Sequence, residues 1–194
     1  MRSVEVTQAL AAQGKTLFNA CTACHGGNGE GKTGIGPRLN SDSFLAAASD
    51  EMLVRTISEG RSGTTMIPWK TGLKPEQINA IVAYIRSWKD VPPAKLDQAP
   101  LHGDTEAGKR LFQSICSACH GRTGAGYQET ANGTGIGRRA FLTQVSDGYL
   151  RYIIRHGKSA TKMRGFAENS KVAVANLTDA QIENIISYLR HYAW

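Results

Sequence analysis

The chain has 194 residues, with 23 Lys and Arg against 16 Asp and Glu and a formal net charge of +7. This length fits one ordinary domain or two small ones. No run of about 20 apolar residues occurs, so the sequence predicts no membrane-spanning segment. The positive charge favours an acidic protein partner over nucleic acid, because no predicted helix carries a dense basic stripe with interleaved aromatic residues.

The chain begins without the apolar run of a secretory leader, since residues 1–6 read Met-Arg-Ser-Val-Glu-Val. We expect the mature form of an exported protein with an added start, and a lost N-terminal anchor stays an open alternative. The first helix is predicted over residues 7–20. Gly14 is a poor residue for the middle of this helix, and a close crossing by another helix would explain both Gly14 and the matching Gly108.

Helix 7–20 leads into Cys21-Thr22-Ala23-Cys24-His25, and a predicted helix over residues 106–116 leads into Cys116-Ser117-Ala118-Cys119-His120. C-x-x-C-H is the attachment signature of c-type haem: two thiols bond to the macrocycle and the histidine supplies one axial nitrogen. A zinc or dithiol redox site is the weaker alternative, because histidine directly follows C-x-x-C in both copies. We predict two covalently attached haem c groups, which use all four cysteines.

Both motifs are followed by the same order of elements. Gly-rich residues 26–36 and 121–137 predict loops around the haem. Each half then predicts a helix with a serine N-cap and a glycine stop, over residues 50–59 and 147–156. The last helices begin at Pro75 and after the capping box Thr178-x-x-Gln181. No strand-like alternation of useful length occurs, so we predict an all-α fold.

The two halves align as a repeat. Thr33-Gly34-Ile35-Gly36 matches Thr134-Gly135-Ile136-Gly137, and residues 49–69 align without a gap on residues 146–166. Residues 91–103 contain three prolines and no helical period, which predicts a semi-extended linker. We therefore predict one domain over residues 1–90 and a second over residues 104–194, each small enough that a covalent haem supplies much of the core.

The iron ligand opposite each histidine is predicted from the repeat. Met66 lies 41 residues after His25 and Met163 lies 43 residues after His120, at matching positions in loops between helices. A thioether in such a loop can reach the far face of a haem, and His/Met ligation gives a closed, low-spin iron. Met52 falls inside a helix and is assigned to the core. The weaker candidate ligands are His102 in the linker, His191 at the end of the last helix, and His156, which aligns with Glu59.

These residues resemble class I cytochrome c: a glycine and a phenylalanine before each C-x-x-C-H, a Gly-rich loop, a ligand methionine and a final helix containing tyrosine. Two such domains in tandem resemble the c4-type diheme cytochromes c over nearly the whole chain. The resemblance implies helical domains whose first and last helices cross. It also implies the axial pairs His25/Met66 and His120/Met163, and a backbone carbonyl at Gly36-Pro37 that steadies the haem histidine.

The resemblance further implies a periplasmic protein of the respiratory chain. The leading hypothesis is a soluble electron carrier, not an enzyme, that exchanges electrons with acidic redox proteins such as a quinol-oxidising complex, an oxidase or a reductase. One alternative is a small diheme oxidoreductase of the peroxidase or sulfur-compound-oxidising type. The other is an electron-transfer subunit of a larger redox complex.

Departures from the repeat give further expectations. Two residues separate Phe18 from Cys21, one fewer than in domain two, which predicts a bulged helix end in domain one. Domain two has Gly137-Arg138 in place of Gly36-Pro37, so the two haems should titrate at different potentials. Longer loops near residues 127–132 and 167–176 are candidates to cover a haem edge or bind a partner. A basic cluster in domain two alone predicts the docking site of an acidic partner: Arg151, Arg155, Lys158, Lys162 and Arg164.

Overall fold

The computed structural model describes residues 2–170 and 175–194. The chain divides into two compact units, unit 1 (Met1–Ala94) and unit 2 (Lys95–Trp194). The described residues form helices and loops, and their only β-type pairings are isolated bridges. The predicted all-α fold is therefore confirmed. Within these residues no helix combines the length and the apolar character that crossing a membrane requires.

The longer helices occur where their caps predict them, and the short helices α3 and α8 do not show in the sequence because they are too short to produce a period. Unit 1 contains α1 (Gln8–Phe18), α2 (Thr22–His25), α3 (Asp42–Ala47), α4 (Asp50–Glu59), α5 (Pro75–Ser87) and a 3-10 turn (Asn19–Cys21). Unit 2 contains α6 (Thr105–Leu111), α7 (Ser117–His120), α8 (Arg139–Leu142), α9 (Asp147–His156), α10 (Asp179–His191), a π-helical segment (Phe112–Cys116) and a 3-10 turn (Gly126–Gln128).

Helices α4 and α9 are bounded by the same two residue types. The hydroxyls of Ser49 and Ser146 accept hydrogen bonds from the first helical turn. Gly60 and Gly157 end the helices with φ of +63° and +68°, a conformation that residues with a Cβ adopt only at a cost. The predicted capping box at the start of α10 is also present. These local signals confirm both ends of the predicted helices over residues 50–59 and 147–156.

The first and last helices of each unit pack closely together, α1 against α5 and α6 against α10. A Cβ added to Gly14 would lie 1.9 Å from the carbonyl oxygen of Ala80, and one added to Gly108 would lie 1.8 Å from that of Asn184. Both helices therefore need glycine at the contact. The close approach predicted from the two mid-helix glycines is confirmed.

The number of residues between the buried phenylalanine and the first motif cysteine differs between the units, and the helix ends accommodate this difference in opposite ways. In unit 1 the two residues between Phe18 and Cys21 are wound tightly into a 3-10 turn. In unit 2 the three residues between Phe112 and Cys116 are accommodated by a wider π-helical turn. Both phenylalanines are buried as a result. The prediction of a bulge in domain one is wrong, because the shorter spacing overwinds the chain and the bulge falls in unit 2.

Each unit also contains the same polar network, centred on an arginine of its last helix. Arg86 binds the Asp50 carboxylate at 2.8 Å and the carbonyls of Leu45 and Ala48. Arg190 binds Asp147 at 2.7 Å together with two matching carbonyls, those of Leu142 and Val145. The unit 1 pair is 1% and 0% exposed, against 27% and 31% for the unit 2 pair. Each network joins the last helix of its unit to the helix before it, and to the short helix and loop that precede that helix.

Residues 91–103, predicted as a linker, contain no helix. The first part belongs to unit 1, since the Ala94 N–H donates to the Ala46 carbonyl at 2.9 Å. The second part belongs to unit 2, where the Asp97 carbonyl accepts a hydrogen bond from Arg151 at 3.0 Å. Most of this segment is therefore attached to one unit or the other.

Candidate haem sites

Each C-x-x-C-H motif ends in a single helical turn. Cys24 and His25 lie in α2, and Cys119 and His120 lie in α7. All four cysteines are free thiols. Burial, with a smaller contribution from the neighbouring Cys24 or Cys119, raises the pKa of Cys21 to about 11 and that of Cys116 to about 12. Before a haem is attached, these two thiols are therefore protonated and uncharged at neutral pH.

Both motif histidines lie against a backbone carbonyl. The Nδ1 atom of His25 is 3.0 Å from the Pro37 oxygen, and that of His120 is 2.8 Å from the Thr134 oxygen. A carbonyl can only accept, so Nδ1 carries the proton and Nε2 keeps a lone pair for a metal. Burial lowers the pKa of His120 and Lys158 lowers it further, against the opposing effect of the Thr134 carbonyl. The ring is thus in the neutral form that binds iron.

The carbonyl acceptor in unit 2 corrects the predicted register of the repeat. Gly137-Arg138 does not occupy the place of Gly36-Pro37; Gly133-Thr134 does. A Cβ on Gly36 would lie 2.6 Å from the Cys24 oxygen, and a Cβ on Gly133 would lie 2.4 Å from the Cys119 oxygen. The matching Thr-Gly-Ile-Gly stretches are therefore not equivalent in space. Both histidines have a carbonyl partner, so the predicted contrast at this position, offered as the reason for different potentials, is wrong.

Arg138 serves a different purpose in unit 2. Its guanidinium carbon lies 4.2 Å from the centre of the Trp194 ring, a cation–π contact, and the side chain also bonds to Gln128. The longer loop near residues 127–132 reaches the haem motif, because the Thr130 hydroxyl donates to the Cys119 carbonyl. Part of the other long loop, residues 167–176, lies outside the described residues.

The loops that carry Met66 and Met163 have the same backbone geometry. The Met66 carbonyl accepts from the Arg61 N–H at 2.8 Å, and the Met163 carbonyl accepts from the Lys158 N–H at 2.8 Å. A threonine hydroxyl two residues before each methionine accepts from its N–H, at 3.1 and 3.0 Å. The two methionines therefore occupy equivalent positions in their units. Met52, in contrast, is buried in α4, as predicted for a core residue.

The remaining histidines lie in other surroundings. His102, His156 and His191 are all exposed. The His156 ring packs on Tyr152 at 4.4 Å between centroids, and the His191 ring packs on Tyr192 at 4.7 Å. His156 and His191 thus make surface aromatic contacts at the ends of α9 and α10.

The predicted basic cluster of domain two is only partly a surface. Arg151 is 2% exposed, and its guanidinium binds Glu183 at 2.6 Å and the Asp97 carbonyl. Arg155 forms an ion pair with Asp179 at 2.8 Å. The part of the docking prediction that relies on Arg151 and Arg155 is wrong, because each is paired with an acidic residue far along the sequence. Lys162 and Arg164, which flank Met163, are exposed.

The residues of both units fit an attached haem c. Each unit places two free thiols beside a histidine whose Nδ1 faces a backbone carbonyl, and sets a methionine in a loop stabilised by backbone hydrogen bonds. Gly36 and Gly133 pack closely against the motif turn, where a Cβ would collide with the carbonyl oxygen of Cys24 or Cys119. In unit 1, Ile35 and Ile67 beside these elements are 49% and 56% exposed, the kind of side chain that an apolar macrocycle covers. A bound haem c supplies one-electron chemistry at its iron.

Comparison with known proteins agrees with this fit. The family model of cytochrome c matches residues 11–89 and 105–193. The Cbb3-type cytochrome c oxidase subunit FixP of Bradyrhizobium diazoefficiens is 34% identical over 128 residues, which is 61% of this chain and 42% of that protein. The chain spans less than half the length of this and the next curated relatives.

Two solved structures match the chain over nearly its whole length. A chain of the reducing HAO-like protein complex of Kuenenia stuttgartiensis is 25% identical with a TM-score of 0.53, covering 99% of both chains. Cytochrome c4 from Pseudomonas stutzeri is 18% identical with a TM-score of 0.29, covering 93% of this chain and 97% of that one.

The chain therefore belongs to the cytochrome c family, with one family domain in each unit. It is a diheme c-type cytochrome, and the predicted resemblance to two-domain class I cytochromes c is confirmed. Its cofactors are two covalently attached haem c groups, and the pairs Cys21/Cys24 and Cys116/Cys119 fit their attachment.

Proposed function

We propose that the protein is a soluble periplasmic carrier that moves electrons between respiratory redox partners. In this proposal the iron of unit 1 is bound by His25 and Met66, and the iron of unit 2 by His120 and Met163. Two closed coordination spheres leave no position for a substrate, which favours electron transfer over catalysis. Haem c is attached outside the cytoplasm, which supports a periplasmic location.

The observation that carries this proposal is the duplication of both sides of the site. Each histidine has a carbonyl on Nδ1, and each methionine loop has the same pair of backbone hydrogen bonds. The equivalence holds although neighbouring loop residues differ between the units. A methionine that served only for packing would not require the same loop geometry twice.

Methionine variants test the ligation. Met66→Ala and Met163→Ala should each remove about half of the long-wavelength thioether-to-iron charge-transfer band of the ferric protein, since each breaks one of two centres. The matched control is Met52→Leu, which replaces a buried methionine of the core and should leave the band intact. Full band intensity in either alanine variant would contradict the ligation proposed for that unit.

The exposed basic residues beside Met163 support an acidic partner for unit 2. Unit 2 has 13 Lys and Arg against 8 Asp and Glu, whereas unit 1 has 10 against 8. Once Arg151 and Arg155 are discounted as ion-paired, Lys162 and Arg164 remain as exposed charges next to the methionine loop. We infer that these two charges steer an acidic redox protein, and so affect the association rate more than the affinity.

Charge reversal tests the steering. Lys162→Glu with Arg164→Glu should slow electron exchange with the anionic probe hexacyanoferrate about tenfold at low salt, and the deficit should shrink as salt screens the charges. The control pair Lys95→Glu with Arg110→Glu makes the same change in net charge on other exposed residues of unit 2. Equal slowing by both pairs would show that net charge alone matters and that this loop is not a docking site.

A second candidate is a subunit of a larger redox complex. It is favoured by the similarity to an oxidase subunit and by the full-length similarity to a chain of the Kuenenia complex. Purification of the native protein separates the two candidates. A carrier should elute alone from the periplasmic fraction, whereas a subunit should co-elute in fixed stoichiometry with other redox proteins.

A further inference from the structure

An ionised carboxylate lies at the same place in both haem loops. The Glu30 side chain occupies the space beside Gly26, where an added Cβ would lie 2.3 Å from its carboxyl carbon. The Glu129 side chain occupies the space beside Gly121, where a Cβ would lie 2.4 Å from its Oε2 atom. Gly26 and Gly121 are the residues directly after the haem histidines.

Each carboxylate binds the same backbone N–H. Glu30 accepts from the Asn28 N–H at 2.8 Å, and Glu129 accepts from the Thr123 N–H at 3.2 Å. Both donors lie three residues after the motif histidine. Hydrogen bonds from the N–H groups of Glu30 itself and of Asn28 lower the pKa of Glu30, and the Thr123 hydroxyl and N–H lower that of Glu129. Both side chains are thus anionic acceptors at neutral pH.

The two glutamates reach this place from different points along the chain. Glu30 lies 5 residues after His25, whereas Glu129 lies 9 residues after His120. Glu129 follows the 3-10 turn Gly126–Gln128, in a loop that is longer than its counterpart in unit 1. Simple duplication would not place the two side chains alike. The recurrence of the carboxylate at different offsets indicates that the turn requires it.

A short chain of hydrogen bonds joins this turn to the histidine. The Gly29 carbonyl, at the end of the turn, accepts from the Leu39 N–H at 2.7 Å, just beyond Pro37. In unit 2 the Gly124 carbonyl accepts from the Ile136 N–H at 2.8 Å, just beyond Thr134. The segment that carries each acceptor carbonyl is therefore attached to the turn that the glutamate closes.

We propose that Glu30 and Glu129 are positioning residues, each of which holds the turn after its haem motif so that the Pro37 or Thr134 carbonyl stays on the histidine Nδ1–H. This inference rests on the proposed ligation by His25 and His120. The carbonyl bond makes a ligand imidazole a stronger donor and fixes its ring plane. Loss of the carboxylate would free the turn and loosen that bond at one haem only.

Hydrogen exchange of the histidine ring proton tests this role in the intact, fully reduced holoprotein. Nuclear magnetic resonance follows the Nδ1–H signals of the two ligand histidines, which the haem ring current shifts. In Glu30→Ala the His25 proton should exchange with solvent about tenfold faster, as expected for a weakened hydrogen bond, while the His120 proton keeps its wild-type rate. Glu129→Ala should give the converse.

Two further variants complete the test. Glu30→Gln and Glu129→Gln keep one acceptor oxygen and should exchange only about threefold faster, and they serve if an alanine variant does not mature. Glu51→Ala removes an exposed carboxylate on α4 and should leave both rates unchanged. Wild-type rates in the glutamate variants would overturn the inference alone. Absence of the shifted Nδ1–H signals from the wild type would overturn the proposed ligation, and this inference with it.

Discussion

Gly14→Ala sets two well-known effects against each other. Within a helix, alanine is favoured over glycine by about 1 kcal/mol, so in an isolated α1 the substitution would stabilise the protein. In the folded unit the new Cβ would lie 1.9 Å from the Ala80 oxygen and 2.8 Å from the Tyr84 Cβ. Real Cβ contacts below about 3 Å hardly occur, so α1 and α5 would have to separate by roughly 1 Å.

The cost of separating α1 from α5 decides whether Gly14→Ala stabilises or destabilises the protein. Overpacking of this kind costs about 1–3 kcal/mol, and the upper part of the range applies because the obstructing atom belongs to the backbone of α5 and cannot rotate away. After the propensity gain we expect a net loss of about 2 kcal/mol, or a melting temperature about 8–16 °C lower for a unit of this size. Gly108→Ala should do the same in unit 2, where the distance is 1.8 Å.

Thermal unfolding of the holoprotein, followed by circular dichroism, measures this effect. Gly72→Ala is the matched control, because a Cβ there would meet nothing within 4 Å, and it should change the melting temperature by no more than a few degrees. A Gly14→Ala protein as stable as the wild type, or more stable, would refute the close helix contact on which the fold rests.

Three other substitutions probe the polar contacts. Hydrogen bonds from Val4, Ser3 and Arg86 outweigh burial and lower the pKa of Asp50, so its contribution is present above about pH 4 and is lost as pH falls through its folded pKa. Asp50→Asn should therefore cost about 3 kcal/mol at pH 7 in denaturant titrations and clearly less at pH 3. Glu183→Gln strands the buried Arg151 charge and should destabilise unit 2 by about 2–3 kcal/mol. Ser146→Ala removes the N-cap of α9 and should cost about 1 kcal/mol, a value that chemical denaturation resolves.

The features that the sequence predicts depend on local chemistry. The haem motifs, the helix caps at Ser49 and Ser146 and the stops at Gly60 and Gly157 involve residues within one or two turns of each other. The alignment of the two repeats also predicts that Met66 and Met163 occupy equivalent positions. Such local signals predict the structure correctly because few contacts with distant residues can override them.

The features that the sequence misses depend on partners far along the chain. The charge of Arg151 is neutralised by Glu183, which lies 32 residues away, and no sequence pattern predicts that pair. The carbonyl acceptor at Thr134 is also missed, because aligning the two Thr-Gly-Ile-Gly stretches pairs Gly36 with Gly137 and so gives the wrong register. A signal for it exists: extending the gapless alignment of residues 49 and 146 backwards by 13 positions places Gly36 on Gly133 and Pro37 on Thr134. The loop insertion lies before that point, so the later register is the reliable one.

X-ray absorption at the iron edge of the native ferric protein tests the central claim, that two matched centres each bind one histidine and one methionine. The account predicts an average of one sulfur neighbour per iron, with nitrogen at the remaining positions. An average of half a sulfur per iron would show that only one unit uses its methionine. No sulfur neighbour at all would contradict the roles proposed for both Met66 and Met163.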